Sequence, residues 1–174
     1  MVPCIYVYYW ISVCCVLIQY GVEFSVQTVY TMFCYADWMD FYGFTNCACY
    51  HTLNLASASW VLYSSDHDLI SSRVVCIGPT TNNIAEYQVT IGLLTEAASR
   101  DIHDLVVFMD SQLVVCHLNH VYTIRNPVLL HLFQRVCLLE SSFDFITYRN
   151  IHRSDNTIAD SLANYILDWY ILHS

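Results

Sequence analysis

Hydrophobic and polar residues follow a strand-like pattern in the first orderly part of the chain, which begins near residue 44. Residues 56–65 and 69–78 are both strand-like runs with many apolar residues, and the polar segment Asp66–Asp68 between them predicts a hairpin. A further strand is expected near residues 41–49. The pattern therefore predicts three consecutive antiparallel strands.

A helical period replaces the strand pattern over residues 80–101. Apolar residues recur there at spacings of three or four, which predicts one apolar helix face. Asn82 or Asn83 is a suitable N-cap for this helix. The residues of the predicted apolar face are Ile84, Tyr87, Ile91, Leu94 and Ala98.

Strands and helices alternate in the remainder of the chain. Strands are predicted at residues 104–110 and 143–150, and helices at 111–121, 126–141 and 154–169, with Pro127 in a first helical turn. The inner face of the last helix is predicted to carry Ile158, Leu162, Tyr165 and Ile166. Antiparallel strands followed by this alternation predict an α/β domain with a mixed sheet flanked by helices.

The first 43 residues differ from the predicted domain at 44–170. Residues 4–18 are apolar except for Ser12, which is short for a membrane span, although residues 20–22 could extend it. No Lys or Arg flanks the segment, and it lacks the positive region of a signal peptide. Three interpretations stay open: read-through of thymine-rich upstream DNA, membrane contact through residues 4–22, and a packed extension.

Composition limits the partners of the chain. It has no lysine, six arginines and a net charge of −9, which argues against strong charge-driven binding of nucleic acid. The nine cysteines include no CxxC pair, so we expect reduced thiols in an intracellular protein.

Three carboxylates stand at comparable places in the predicted elements. Glu86 lies in the first turn of the long helix, Asp110 ends the next strand, and Asp160 lies one turn into the last helix. Each alone is explained by the preference of acids for helix starts. Together at one sheet edge they would repel each other unless divalent cations lay between them. Two such cations can hydrolyse a phosphodiester.

The blocks "TTNNIAEYQVTIGLL", "FMDSQLVVCHLN" and "RSDNTIADSLANYILD" resemble type I ribonuclease H, in the form found in plant retroelement polyproteins. The resemblance covers roughly residues 44–170. It implies a ribonuclease H-like fold with a five-stranded mixed sheet, hydrolysis of RNA in RNA–DNA hybrids, and Mg²⁺ or Mn²⁺ bound by four carboxylates. Glu86, Asp110 and Asp160 match three of these carboxylates. Residues used near the hybrid or in shaping the site are matched by Asn82, Asn83, Gln112 and Asn156.

The first-strand block departs from the family pattern. Where the family has a segment resembling "FTDGAC", this chain reads "FTNCAC" at residues 44–49, so Asn46 stands at the catalytic Asp position and Cys47 at the glycine position. Asp40 is the nearest upstream acid, and using it would need a register shift of six residues.

Three further departures concern the turn and the loops. The segment 50–59 contains no glycine, which leaves its hairpin geometry open. Asn150 stands at the position of a family histidine, and His152 stands two residues later. The basic protrusion of some relatives is missing, with only Arg125 and Arg135 in that region.

The resemblance and its departures lead to two alternatives. The first is a ribonuclease H-type endonuclease with a two-metal mechanism, impaired by Asn46 and binding Mg²⁺ or Mn²⁺ weakly. The second is an inactive nucleic-acid-binding remnant of a retroelement domain. In both cases we expect a monomer that binds an RNA–DNA hybrid or other nucleic acid weakly.

Overall fold

Over the described residues, the predicted strand and helix pattern corresponds to nine regular elements and one short helical turn. The computed structural model describes residues 41–50 and 55–173, and only the backbone at residues 50 and 166–173. The strands are β1 (Phe41–Tyr50), β2 (Leu55–Ser64), β3 (Leu69–Gly78), β4 (Asp104–Met109) and β5 (Phe145–Asn150). The helices are α1 (Asn82–Ser99), α2 (Gln112–Leu118), α3 (Pro127–Glu140) and α4 (Thr157–His173), with a 3₁₀ turn at Arg153–Asp155.

The five strands form one mixed sheet in the order β3-β2-β1-β4-β5, which confirms the predicted fold class. β1 pairs antiparallel with β2 and parallel with β4, and β5 adds to β4 in parallel. The last pair in register between β1 and β4 joins Thr45 to Met109. Asn46 and Asp110 are therefore the next residues on two adjacent strands, whose backbones lie about 4.8 Å apart.

The main core lies on the sheet face that α1, α2 and α3 cover. Tyr87, Ile91 and Leu94 of α1 are buried in it, as the periodicity predicts. The buried surface of α1 is wider than one face, because Ala85, Val89, Leu93 and Ala97 are buried as well. The reason is that α1 packs against both the sheet and α3.

The inner face of α4 differs from the prediction. Ile158 and Tyr165 are 54% and 66% exposed, Leu162 is half-buried, and Ile166 lies where only the backbone is described. The residues that face the sheet are Ala159 and Ala163, both fully buried. Their carbonyl oxygens accept hydrogen bonds from the Ser59 and Ser57 hydroxyls of β2, at 2.5 and 2.6 Å. Small residues allow α4 to approach the sheet closely enough for these bonds.

Helix starts also differ in detail. The N-cap of α1 is Thr81, whose hydroxyl accepts the Ile84 amide at 3.4 Å, so neither Asn82 nor Asn83 caps the helix as predicted. Since α1 begins at Asn82, Glu86 lies in its second turn rather than its first. Asn126 caps α3 immediately before Pro127.

Several predictions concern residues outside the described ranges. These predictions concern residues 1–40 of the extension, membrane contact through 4–22, the alternative acid Asp40, and the connection at 51–54. Residues 41–43 already belong to β1. Within residues 41–50 and 55–173, no helix has both the length and the apolar character needed to cross a membrane.

Candidate active site

Four of the predicted site residues come from four different elements. Asn46 lies on β1, Glu86 on α1, Asp110 directly after β4, and Asp160 in the first turn of α4. The parallel register of β1 and β4 brings Asn46 and Asp110 to neighbouring positions. The packing of α4 against β1 and β2 brings Asp160 to the same edge.

Asp160 is surrounded by hydrogen-bond donors. The side-chain amide of Asn46 donates to Asp160 Oδ1 at 2.8 Å. The guanidinium of Arg153 donates to the same oxygen through Nε and Nη2, at 3.0 and 2.6 Å. Asn164, one turn further along α4, donates to Oδ2 at 3.1 Å. Three protein side chains therefore already satisfy this carboxylate.

Glu86 has a different environment. Its side chain is buried, with only 2% of the residue exposed, and Oε1 accepts the Cys47 thiol at 3.1 Å. Glu86 Oε2 is buried without a hydrogen-bond partner. Burial raises the pKa of Glu86 to about 7; the Cys47 hydrogen bond opposes this rise and the negative charge of Asp110 adds to it. With this pKa, Glu86 changes between its protonated and ionised forms near neutral pH.

Asp110 connects the two ends of the site electrostatically. Burial raises its pKa above the ordinary value, Asp160 raises it further, and Arg153 opposes the rise. Because Asp110 also raises the pKa of Glu86, the three carboxylates act on one another through space. Arg153 offsets part of this negative charge from the loop that precedes α4.

The predicted ligand-contacting residues fall into two groups. Asn82 and Gln112 are exposed and Asn83 is half-buried, each in the first turn of its helix. Asn156 is only 1% exposed, and its amide donates to the Thr45 carbonyl at 2.7 Å. Asn156 therefore holds β1 against the start of α4, which agrees with the predicted role in shaping the site; a contact of Asn156 with substrate stays a prediction.

Asn150, at the position of the family histidine, and His152, two residues later, make different contacts in the structure. Asn150 donates its amide to the Met109 carbonyl at 3.1 Å, which fixes the end of β5 to β4. His152 is exposed and caps the 3₁₀ turn, with Nδ1 2.8 Å from the Ser154 hydroxyl.

Comparison with known proteins places the chain in a family. The sequence model of the family described as reverse transcriptase-like matches residues 44–166. The chain belongs to the reverse transcriptase-like family. Ribonuclease HI of Halobacterium salinarum is 35% identical to it over 113 residues, which are 65% of this chain and 57% of that protein. Together these two matches identify a ribonuclease H domain in this chain.

A bifunctional protein of Mycobacterium tuberculosis is 36% identical over 109 residues, or 62% of this chain. The chain spans only 30% of the length of that curated relative.

Solved structures share the fold. RNase H1 of Halobacterium salinarum superposes with a TM-score of 0.71 at 32% identity, covering 74% of this chain and 97% of that one. The N-terminal RNase H domain of the mycobacterial protein gives a TM-score of 0.68 at 31% identity, with 71% and 95% covered. LC11-RNase H1, solved with an RNA/DNA hybrid, gives 0.71 at 24% identity, with 75% and 99% covered.

The donor set of this ribonuclease H domain fits a hard divalent cation at Glu86 and Asp110. Glu86 Oε2 is a buried acceptor without a partner, and Asp110 acts on it electrostatically. Carboxylate oxygens are the ligands that Mg²⁺ prefers. Asp160, however, is engaged by Asn46, Arg153 and Asn164. In the part of the chain that is described, no three His, Cys, Asp or Glu side chains are grouped as a metal site.

Three residues that build this site have no role predicted from the sequence. Arg153 and Asn164 lie seven residues before and four residues after Asp160, spacings that place them near it on a helix and its lead-in. At Cys47 the sequence indicates only the loss of a glycine. The signal for its contact with Glu86 was the strand period, which turns residues 45 and 47 to the α1 side of β1.

Proposed function

We propose that this chain is a ribonuclease H-type domain that acts on RNA–DNA hybrids through Glu86, Asp110 and Asp160, and that Asn46 impairs cleavage. The observation that carries the proposal is the hydrogen bond from the Asn46 amide to Asp160 Oδ1, at 2.8 Å. An acid at position 46 would repel Asp160 there and would need a cation between them. An amide binds Asp160 directly and needs no cation.

The carboxylates then divide into two sets. Glu86 and Asp110 are the side chains we assign to a divalent cation, Mg²⁺ or Mn²⁺. Such an ion, when bound, activates water and stabilises the leaving oxygen of a phosphodiester. Asp160 joins this set only when it releases Arg153 and the Asn46 amide. We therefore infer weak cation binding and slow cleavage.

The fold of the relatives supports the hybrid as the ligand. LC11-RNase H1 shares the sheet and helices of this chain and was solved with an RNA/DNA hybrid. The exposed Asn82 and Gln112 open the first turns of α1 and α2, where backbone N–H groups favour contacts with phosphate. Origin from a plant retroelement belongs to the same proposal and is supported by the order of the three sequence blocks.

One observation favours a second function, binding of nucleic acid without cleavage. Arg153 donates two hydrogen bonds to Asp160, so that carboxylate is neutralised without metal. A site in this state keeps its surface and its fold while the acid is unavailable for chemistry. The chain would then be a nucleic-acid-binding remnant of a ribonuclease H domain.

A combined binding and cleavage assay tests the proposal. The intact chain is incubated with labelled RNA–DNA hybrid or with DNA duplex of the same sequence, in Mg²⁺ or Mn²⁺, beside the matched variant Asp110→Asn. We expect a preference for hybrid and slow cleavage of the RNA strand that Asp110→Asn abolishes.

The outcomes separate the alternatives. Hybrid binding with no cleavage in either metal would favour the binding remnant. Rapid cleavage by the wild type would contradict the impairment assigned to Asn46. Equal affinity for hybrid and duplex would contradict the proposed ligand. Calorimetric binding of two tightly held ions without substrate would contradict weak metal binding.

A further inference from the structure

The thiol of Cys47 lies inside the carboxylate site rather than beside it. Its Sγ is 3.1 Å from Glu86 Oε1 and 3.2 Å from the side-chain oxygen of Asn82. All three residues are held by ordered elements, Cys47 by β1 and the other two by the start of α1. Two oxygen atoms that could bind a metal, one from a carboxylate and one from an amide, therefore lie within 3.2 Å of one sulfur atom.

A second, independent observation marks this place as able to accept a ligand. Glu86 is buried, and its Oε2 has no hydrogen-bond partner. Unsatisfied buried carboxylate oxygens are rare, because leaving one without a partner is unfavourable. A cation bound at Glu86 would give the unpaired Oε2 atom a partner.

The spacing of the donors is near, and somewhat shorter than, the ligand spacing around a tetrahedral ion that prefers sulfur. With metal–sulfur bonds of about 2.3 Å and metal–oxygen bonds of about 2.0 Å, the sulfur and oxygen ligands of one ion lie about 3.5 Å apart. The observed separations of 3.1 and 3.2 Å are close to this value. The third donor is an amide oxygen, so this arrangement is compatible with the lack of a group of three Cys, His, Asp or Glu in the described ranges.

We propose that Cys47, Glu86 and Asn82 form a binding site for a thiophilic divalent cation such as Zn²⁺ or Cd²⁺. On binding, the S–H bond of Cys47 breaks, a metal–sulfur bond forms, and the proton passes to solvent. The cation takes one Glu86 oxygen and the Asn82 amide oxygen, and water completes its coordination. Since a thiolate is a poor ligand for Mg²⁺, the residue at the family's glycine position changes which metal this site selects.

This inference goes beyond the proposed function, because metal uptake is measured without nucleic acid. The intact, reduced chain is titrated with Cd²⁺, and the ultraviolet thiolate-to-cadmium charge-transfer band is recorded. The chain has nine cysteines, so the readout is a difference between matched variants. Cys47→Ser is compared with Cys76→Ser, which removes an exposed thiol from β3.

We expect Cys47→Ser to lose one equivalent of Cd²⁺ uptake and Cys76→Ser to match the wild type. Glu86→Gln keeps every thiol and should weaken the same equivalent at least about tenfold, as loss of a supporting ligand does. It also serves if Cys47→Ser does not fold, which circular dichroism reports. Equal Cd²⁺ uptake by wild type and Cys47→Ser would overturn the proposal. Unchanged affinity in folded Glu86→Gln would overturn the mixed thiolate–carboxylate site. Tight Cd²⁺ uptake with no hybrid binding would leave this site standing while the proposed function fails.

Discussion

At position 46, an amide differs from a carboxylate by one hydrogen-bond donor and one negative charge. The amide turns its donor to Asp160, which forms a neutral-to-charged hydrogen bond of 2.8 Å. The two side chains have the same shape, so the substitution leaves the packing of β1 intact. What changes is the charge that would attract a cation, so under the proposed function the domain keeps its fold while its cation site is weakened.

The buried carboxylate of Glu86 makes stability depend on pH. Burial raises its pKa from an ordinary value of 4.5 to about 7 in the folded protein. Between those values the folded state holds the proton more tightly than the unfolded chain, so this group lowers the free energy of unfolding as the pH rises through them. The decrease amounts to about 3 kcal/mol and is complete above pH 7. Glu86→Gln should remove it, which urea unfolding at pH 5 and pH 8 without divalent metal measures.

Glu96→Gln is the matched control for this experiment. Burial raises the pKa of Glu96, but hydrogen bonds from Ser71, Trp60 and Arg100 outweigh burial and lower it overall. Its contribution to folding therefore has the opposite sign, and Glu96→Gln should destabilise the protein at pH 8. If Glu86→Gln is less stable than the wild type at pH 8, the assigned environment of Glu86 is wrong.

At the level of elements, α4 positions Asp160 by means of small residues. Ala159 and Ala163 lie against β2, and their carbonyls bind two serine hydroxyls of that strand. Ala163→Leu should push the helix from the sheet and lower the free energy of unfolding by about 1–3 kcal/mol, since added methylenes overpack a filled contact. Thermal unfolding measures this.

Tyr165→Ala is the control on the same helix, because Tyr165 is 66% exposed. Its effect should stay within about 0.5 kcal/mol. A larger loss of stability for Tyr165→Ala than for Ala163→Leu would show that α4 packs through the face that the sequence predicted.

The error at α4 shows what periodicity can and cannot predict. Apolar spacing located the strands and helices, because burial of side chains decides those elements. It selected the wrong face of α4, since Ile158 and Tyr165 are large and apolar yet exposed. The helix instead packs through alanines onto serines of β2. Such a choice depends on the partner surface, which local periodicity does not contain.

The candidate site was predictable in its acids but not in its contacts. Family blocks identified Glu86, Asp110, Asp160 and the substitution at Asn46. The hydrogen bond from Asn46 to Asp160 joins residues 114 positions apart, so only the folded chain shows it. The same holds for Cys47 and Glu86, whose contact depends on how α1 lies across β1.

At the level of the whole molecule, charge limits affinity for nucleic acid. The net charge is −9. Among the described residues, Arg73 and Arg100 pair with Glu96, and Arg153 pairs with Asp160. Arg125 and Arg135 are exposed near α3. With about two phosphate contacts, the logarithm of hybrid affinity should fall with the logarithm of salt concentration at a slope of about −2.

Fluorescence anisotropy between about 50 and 200 mM salt measures this slope, within the range where counterion release dominates. The paired variant Arg125→Gln with Arg135→Gln should flatten it, by about 1 for each lost contact. A steep slope that the double variant leaves unchanged would show that other groups hold the hybrid.

The most direct test of the whole account is repair of position 46. Cleavage of the RNA strand in an RNA–DNA hybrid is compared, with Mg²⁺ or Mn²⁺, for the wild type, Asn46→Asp, and Asn46→Asp combined with Asp110→Asn. The account predicts little activity, clear activity and none, respectively, because the added carboxylate supplies the missing charge without altering the packing. Adding Cys47→Gly to Asn46→Asp should raise activity further. Rapid cleavage by the wild type, or a folded Asn46→Asp that remains as inactive as the wild type, would contradict it.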